Sequence, residues 1–216
     1  MEWIQEFGGS LLHQYQKGGF AMHPIALLSV ISLALIIYKA IVFRRARSNV
    51  SELTVRVRRE LLKGRVGHAV EACEEFQGPE ATVLKAGLLQ YDAPRDEIER
   101  HMEAATVSVL AKLQRYLGGL ATIANIAPLI GFFGTVVGMI LSFEELAVNG
   151  MGNPGAVAKG IAVALLTTAF GLMVAVMTQP FYNLYLSKVS GHADQIEIAA
   201  HACLDAIGKV RRAKPE

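Results

Sequence analysis

The chain has 216 residues, 52% of them hydrophobic and 19% charged, with a formal net charge of +2. That apolar share belongs to membrane proteins, and the near-neutral balance excludes a nucleic-acid partner held by charge. The two cysteines and six histidines offer only the pair His201-x-Cys203 at close spacing, so no metal, no cofactor and free thiols are expected.

Residues 1–23 open on Met1-Glu2-Trp3 without the basic flank and apolar run of a cleavable signal. Trp3, Ile4, Phe7, Leu11, Leu12 and Tyr15 recur at helical spacing and predict an amphipathic segment on a membrane surface, ended by Gly18-Gly19. The apolar run 24–43 predicts a first span, with Lys39 near one end where its ammonium can snorkel to water. Arg44, Arg45 and Arg47 follow at once, whereas the first 23 residues hold only Lys17. The amino terminus is therefore expected outside and residue 44 onward in the cytoplasm.

Residues 44–115 are polar and of mixed charge. Gly64, Gly67, Gly78-Pro79 and Asp92-Ala93-Pro94 divide them into helices near 51–63, 68–76, 80–91 and 95 onward. Short helices of this total length bury little by themselves. The block is expected to pack on inner extensions of the spans and on neighbouring subunits. From Arg95 the pattern Ile98, Met102, Ala105, Val109, Leu113, Tyr116 meets no proline until Pro128. It predicts one helix of about 50 residues, ~75 Å long.

Two runs without a charged side chain follow, 116–143 and 160–187. Each makes about 42 Å of helix against a hydrocarbon core of about 30 Å. Between them, 144–159 is expected as a loop on the outer side, the same side as the amino terminus, whose one basic residue is Lys159, while the tail 188–216 carries Lys188, Lys209, Arg211, Arg212 and Lys214 and is expected as a cytoplasmic helix. The fold class is all-α integral membrane, with three transmembrane helices and long cytoplasmic helical extensions.

Each long run carries a stripe of small residues. Ala124, Pro128, Gly131, Thr135, Gly138 and Ser142 share one face of the first; Gly160, Ala164, Thr168, Gly171, Ala175 and Thr178 share one face of the second. Such stripes let membrane helices approach closely. Thr135 lies as far beyond the centre of its run as Thr168 lies before the centre of its own. In antiparallel helices both hydroxyls then fall at one depth, roughly 8 Å to one side of the bilayer middle. One buried threonine can satisfy itself on its own helix; two at one level suggest a polar ring on an ion pathway. Thr167 stands beside it, for packing or for the pathway. Pro128 is a candidate hinge, and Glu144 and Glu145 flank the outer mouth, where acids attract cations.

Pro128-Leu-Ile-Gly-Phe-Phe-Gly-Thr-Val-Val-Gly-Met and Gly160-Ile-Ala-Val-Ala-Leu-Leu-Thr-Thr-Ala-Phe-Gly-Leu, with Phe181-Tyr182-Asn183 behind them, closely resemble the ExbB/TolQ/MotA proton-channel family. The resemblance implies a bacterial inner-membrane homopentamer around a central pore, enclosing the single spans of a dimeric ExbD/TolR/MotB-like partner. Ion flow would then drive rotation and work on the cell envelope. The family's two pore threonines match Thr135 and Thr168. Val163 stands where ExbB- and TolQ-like members carry a glutamate, which looks more like the flagellar-stator branch, whereas three spans look like ExbB and TolQ.

Neither long run contains Asp, Glu, Lys, Arg or His. A proton relay in a membrane is usually carried by an acid, so the carrier is expected on the partner's helix, met by Thr135 and Thr168, with Gly131, Gly138, Ala164, Gly171 and Ser142 along the same path. A sodium-driven, gliding or flagellar unit is the alternative, and a passive membrane scaffold is the alternative of another class. No phosphate loop, His-Glu-x-x-His or Gly-x-Ser-x-Gly is present, so neither an enzyme nor a small-molecule substrate beyond the transported ion is expected.

Overall fold

The computed structural model describes residues 15, 18–46, 49–76, 78–150 and 154–213. The amphipathic face expected over 1–23 lies almost wholly outside them. Among the described residues the helices are α1 (Met22–Arg45), α2 (Val50–Leu62), α3 (Val66–Glu75), α4 (Pro79–Leu88), α5 (Arg95–Gln114), α6 (Leu117–Asn149) and α7 (Pro154–Ala213). Three of them, α1, α6 and α7, carry stretches long and apolar enough to cross a membrane. The chain divides into two compact units, one of residues 1–37 and 116–183 and one of residues 38–115 and 184–216, and α1 and α7 contribute to both.

Local chemistry explains the helix ends. Pro24 sits in the first turn of α1, where the backbone N–H it lacks has no intrahelical acceptor, and Arg44 and Arg45 close the last turn against the negative end of the dipole. Pro79 opens α4 with Glu80 in its first turn. Asp96 and Glu97 occupy the first turn of α5. α6 and α7 run past the charge-free segments, to Asn149 and from Pro154. Glu144 and Glu145 therefore stand on a helix, because a surface carboxylate does not end one.

Two expectations are corrected. The single helix expected from Arg95 into the second long run is interrupted: Arg115 is extended (φ −49°, ψ 133°) and Tyr116 is left-handed (φ 68°). Gly118-Gly119 directly follow, weak helix formers that let the chain start α6 afresh, and the break coincides with the boundary between the two units. Lys39 does not snorkel. It is 1% exposed, and its Nζ donates a 2.6 Å hydrogen bond to the Leu113 carbonyl near the end of α5, where the carbonyls of the last turn have no helical partner.

In the unit of residues 38–115 and 184–216, one apolar core joins five helices. Leu53, Val57 and Leu61 of α2, Ala72 and Cys73 of α3, Leu84 and Leu88 of α4, and Ile98 and Met102 of α5 close on Ile196, Cys203 and Ile207 of α7. α7 thus supplies the apolar face that the four short helices lack. Arg211 fastens it further, donating to the carbonyls of Tyr91 and Ala93 while its guanidinium lies 5.6 Å from the Tyr91 ring centre. Both thiols are free and buried; loss of water pushes each up to about 12.

Candidate functional site

In the unit of residues 1–37 and 116–183, the two small-residue stripes face each other. A Cβ added at Gly171 would lie 2.5 Å from the Ala127 carbonyl oxygen, one at Gly131 would lie 2.8 Å from the Thr167 carbonyl oxygen, and one at Gly138 would lie 2.9 Å from the Ala164 Cβ. α6 and α7 therefore touch backbone to backbone, the approach that small residues permit in a membrane. Beside the seam, Ile25 of α1 packs with Ile123, Ala127 and Val174. Ser32 of α1 bonds Thr178 of α7 at 2.6 Å. Thr178 gives its own proton to the Val174 carbonyl, 2.7 Å away, so Ser32 is the donor.

At the middle of the seam Thr135 and Thr168 meet hydroxyl to hydroxyl, which is the juxtaposition their equal depth implies. Around them the Thr135 hydroxyl reaches the Ala164 carbonyl at 3.1 Å and the Gly131 carbonyl at 3.3 Å. Thr168 reaches the Gly131 carbonyl at 3.1 Å, and Thr167 reaches the Ala164 carbonyl at 2.8 Å and the Gly131 carbonyl at 3.3 Å. Three hydroxyl protons thus share two carbonyl oxygens and each other. If Thr167 donates to Ala164 and Thr168 to Gly131, the Thr135 proton goes to Thr168 or Ala164. Every proton has an acceptor, while the hydroxyl oxygens keep lone pairs for an incoming donor.

Burial separates the residues of the expected pathway. Gly131, Gly138, Ser142, Ala164, Thr167 and Gly171 are buried between the helices, Thr167 completely, whereas Thr135 and Thr168 remain partly exposed. The seam consumes the first six as packing. Only the hydroxyl pair keeps an open side. Ser142 illustrates the division: it donates to the Gly138 carbonyl at 2.9 Å, and its oxygen would lie 2.1 Å from a Cβ on Gly160. Val163 stands close to the turn at Gly19, whose own Cβ would lie 3.4 Å from a Val163 methyl. α6 continues through Pro128 and α7 through Pro180, the latter a feature the small-residue pattern gives no reason to single out. Glu144 is exposed and Glu145 half-buried.

Threonine hydroxyls neither ionise nor store a proton near neutral pH. They can order water, donate to a carboxylate, or accept from a protonated one. A site of this kind passes a proton along water that it orders or in company with a titratable group.

The family model described as the MotA/TolQ/ExbB proton channel family matches residues 75–198. The chain belongs to that family. The match covers both threonines, the whole seam, α4 to α6 and α7 as far as residue 198. An ExbB homolog of Methanothermobacter thermautotrophicus is 30% identical over 196 residues, covering 90% of this chain and 70% of its own length. An ExbB-like protein of Synechocystis is 31% identical over 191 residues, 85% of this chain and 74% of that one. The Tol-Pal system protein TolQ of Pseudomonas aeruginosa is 37% identical over 97 residues, 45% of this chain and 42% of its own. Family membership and three apolar helices make this a multi-pass membrane subunit of a channel and transport-energising family.

Proposed function

We propose that this chain is the channel-forming subunit of an ion-motive-force-driven motor of the inner membrane, assembled as a homopentamer around a dimeric ExbD/TolR/MotB-like partner with one span per chain. The amino terminus lies in the periplasm, and residues 44–115 and 188–216 lie in the cytoplasm. Proton flow turns one component against the other and does work on the envelope. The observation that carries this reading is the Thr135–Thr168 pair: two partly exposed hydroxyls at one level, in runs that hold no Asp, Glu, Lys, Arg or His.

The mechanism follows from that pair. An aspartate on the partner's helix carries the proton. As the helix turns, its carboxyl group faces each hydroxyl pair in succession, and Thr135 can redirect its proton from the seam to the carboxylate without leaving a carbonyl stranded. The six buried residues fix the pair's position, Pro128 lets the second span flex where the Ala124 carbonyl has no helical N–H partner, and Glu144 and Glu145 draw cations to the outer mouth. Val163, apolar where related members carry a glutamate, favours a second reading as a stator-type unit, sodium-driven or serving gliding or flagella. Titrating motor activity against sodium at fixed pH separates the two.

The test is Thr135→Ala and Thr168→Ala in the complex with the partner. Loss of gradient-driven proton uptake, with an unchanged elution volume of the complex, supports the reading. Full uptake in both variants refutes it, and no uptake even by the unaltered complex indicates a passive scaffold.

A further inference from the structure

The unit of residues 38–115 and 184–216 holds a cavity of about 710 Å³ that the seam and the hydroxyl pair do not use. Phe43 and Arg44 at the end of α1, and Tyr185, Lys188 and His192 on α7, form much of its wall. The sequence gives the two cations a common meaning. Arg44 is the first residue after the apolar run 24–43, and Lys188 is the first charge after the run 160–187. Both runs cross in the same direction, so both cations mark the same face of the bilayer. The structure brings them to one cavity.

The wall is built rather than incidental. Phe43 stacks on Tyr185 with ring centres 5.4 Å apart and planes 10° apart, and on His192 at 6.3 Å and 11°. Lys188 stands over both aromatic rings, 5.7 Å from Phe43 and 5.8 Å from Tyr185. His192 is held from behind by the Glu80 carboxylate, which is fully buried and accepts its Nδ1 proton at 2.6 Å. Among the described residues no ion pair involves Arg44 or Lys188. Two cations without an ion-pair partner on one cavity wall, Lys188 over its aromatic rings and Arg44 beside them, at the level where two spans end, match an anionic phosphate whose attached chains run back along apolar helix.

We propose that this cavity binds the phosphate of an anionic phospholipid headgroup, with Arg44 and Lys188 as its charge partners and Phe43, Tyr185 and His192 as its floor. The site rests on the positions of the span ends alone and is independent of the motor reading. The ligand fixes the ends of α1 and the third span to one membrane face.

The full chain, as purified in detergent, is tested by native mass spectrometry with dioleoylphosphatidylglycerol and dioleoylphosphatidylcholine, which share acyl chains and differ in net charge. The expected result is a roughly tenfold preference for the anionic lipid. Arg44→Ala/Lys188→Ala abolishes the preference, Arg44→Lys/Lys188→Arg keeps it, and Arg58→Ala/Arg59→Ala, which removes two exposed cations elsewhere, leaves it unchanged. Millimolar inorganic phosphate that displaces the lipid identifies a soluble phosphate as the ligand of the same two cations. Equal retention of both lipids, or equal loss in both alanine pairs, overturns the proposal.

Discussion

In the unit of residues 1–37 and 116–183, α6 and α7 meet backbone to backbone through Gly131, Gly138 and Gly171, and hydroxyls bridge what remains. In the unit of residues 38–115 and 184–216, the helices stand apart on Leu, Ile and Met side chains, with ion pairs such as Arg56–Glu75 at 2.5 Å on the outside. The difference is the one expected if the first unit lies in lipid and the second in water, the placement proposed above. Water drives large apolar side chains together, and burying them is the main stabilising term. Lipid offers no such drive, so contact there rests on close packing and on polar groups with nowhere else to bond.

Substitutions that suit one unit should harm the other. Leu61, completely buried in the water-type core, should cost about 2–5 kcal/mol as Leu61→Ala, read as a large drop in the thermal midpoint of the full chain in detergent. A loss below about 1 kcal/mol would mean that this core is not a packed one. Gly171→Ala places a methyl group against the Ala127 carbonyl at 2.5 Å and should destabilise by about 1–3 kcal/mol, since backbone has to move. A neutral result in the same assay would break the account of the seam.

The two thiols report on burial in the core of residues 38–115 and 184–216. Cys73 and Cys203 are raised from 9.0 to about 12 by burial. Below pH 9 both folded and unfolded thiols are protonated and stability does not depend on them. As pH rises from 9 toward 12 the unfolded thiols ionise first, so stability falls across that window. Alkaline melts of the unaltered chain and of Cys73→Ala/Cys203→Ala should diverge there, and parallel melts would contradict the burial. The smallest effect is expected at Gly191, mid-helix on α7, whose Cβ would meet nothing within 4 Å. Gly191→Ala should stabilise by about 0.5–1 kcal/mol, opposite in sign to Gly171→Ala on the same helix.

Much of this was legible in the sequence because it depends on spacing. The stripes through Gly131 and Gly171 follow from steps of three and four, and the meeting of Thr135 with Thr168 follows from their distances to the run centres. The breaks at Gly64, Gly78-Pro79 and Pro94 follow from residues that cannot continue a helix. What was not legible depends on partners distant in sequence. Lys39 reads as a snorkelling cation until the Leu113 carbonyl, 74 positions away, is beside it. Tyr116 has no sequence mark of a left-handed residue, since that region favours glycine, and the weak helix formers Gly118-Gly119 stand after the break rather than at it. Periodicity alone also cannot say which small residues a neighbouring helix will cover, so Thr167 and Thr168 look alike until one is enclosed and the other keeps an open side.

The central claim is that the spans offer hydroxyls and no acid, so conduction is shared with a second polypeptide. Proton uptake into proteoliposomes under an imposed gradient tests it directly, comparing this chain alone with the chain copurified with its single-span partner. The account predicts uptake by the complex only, lost with Thr135→Ala or Thr168→Ala. Uptake by this chain alone at the rate of the complex would contradict it.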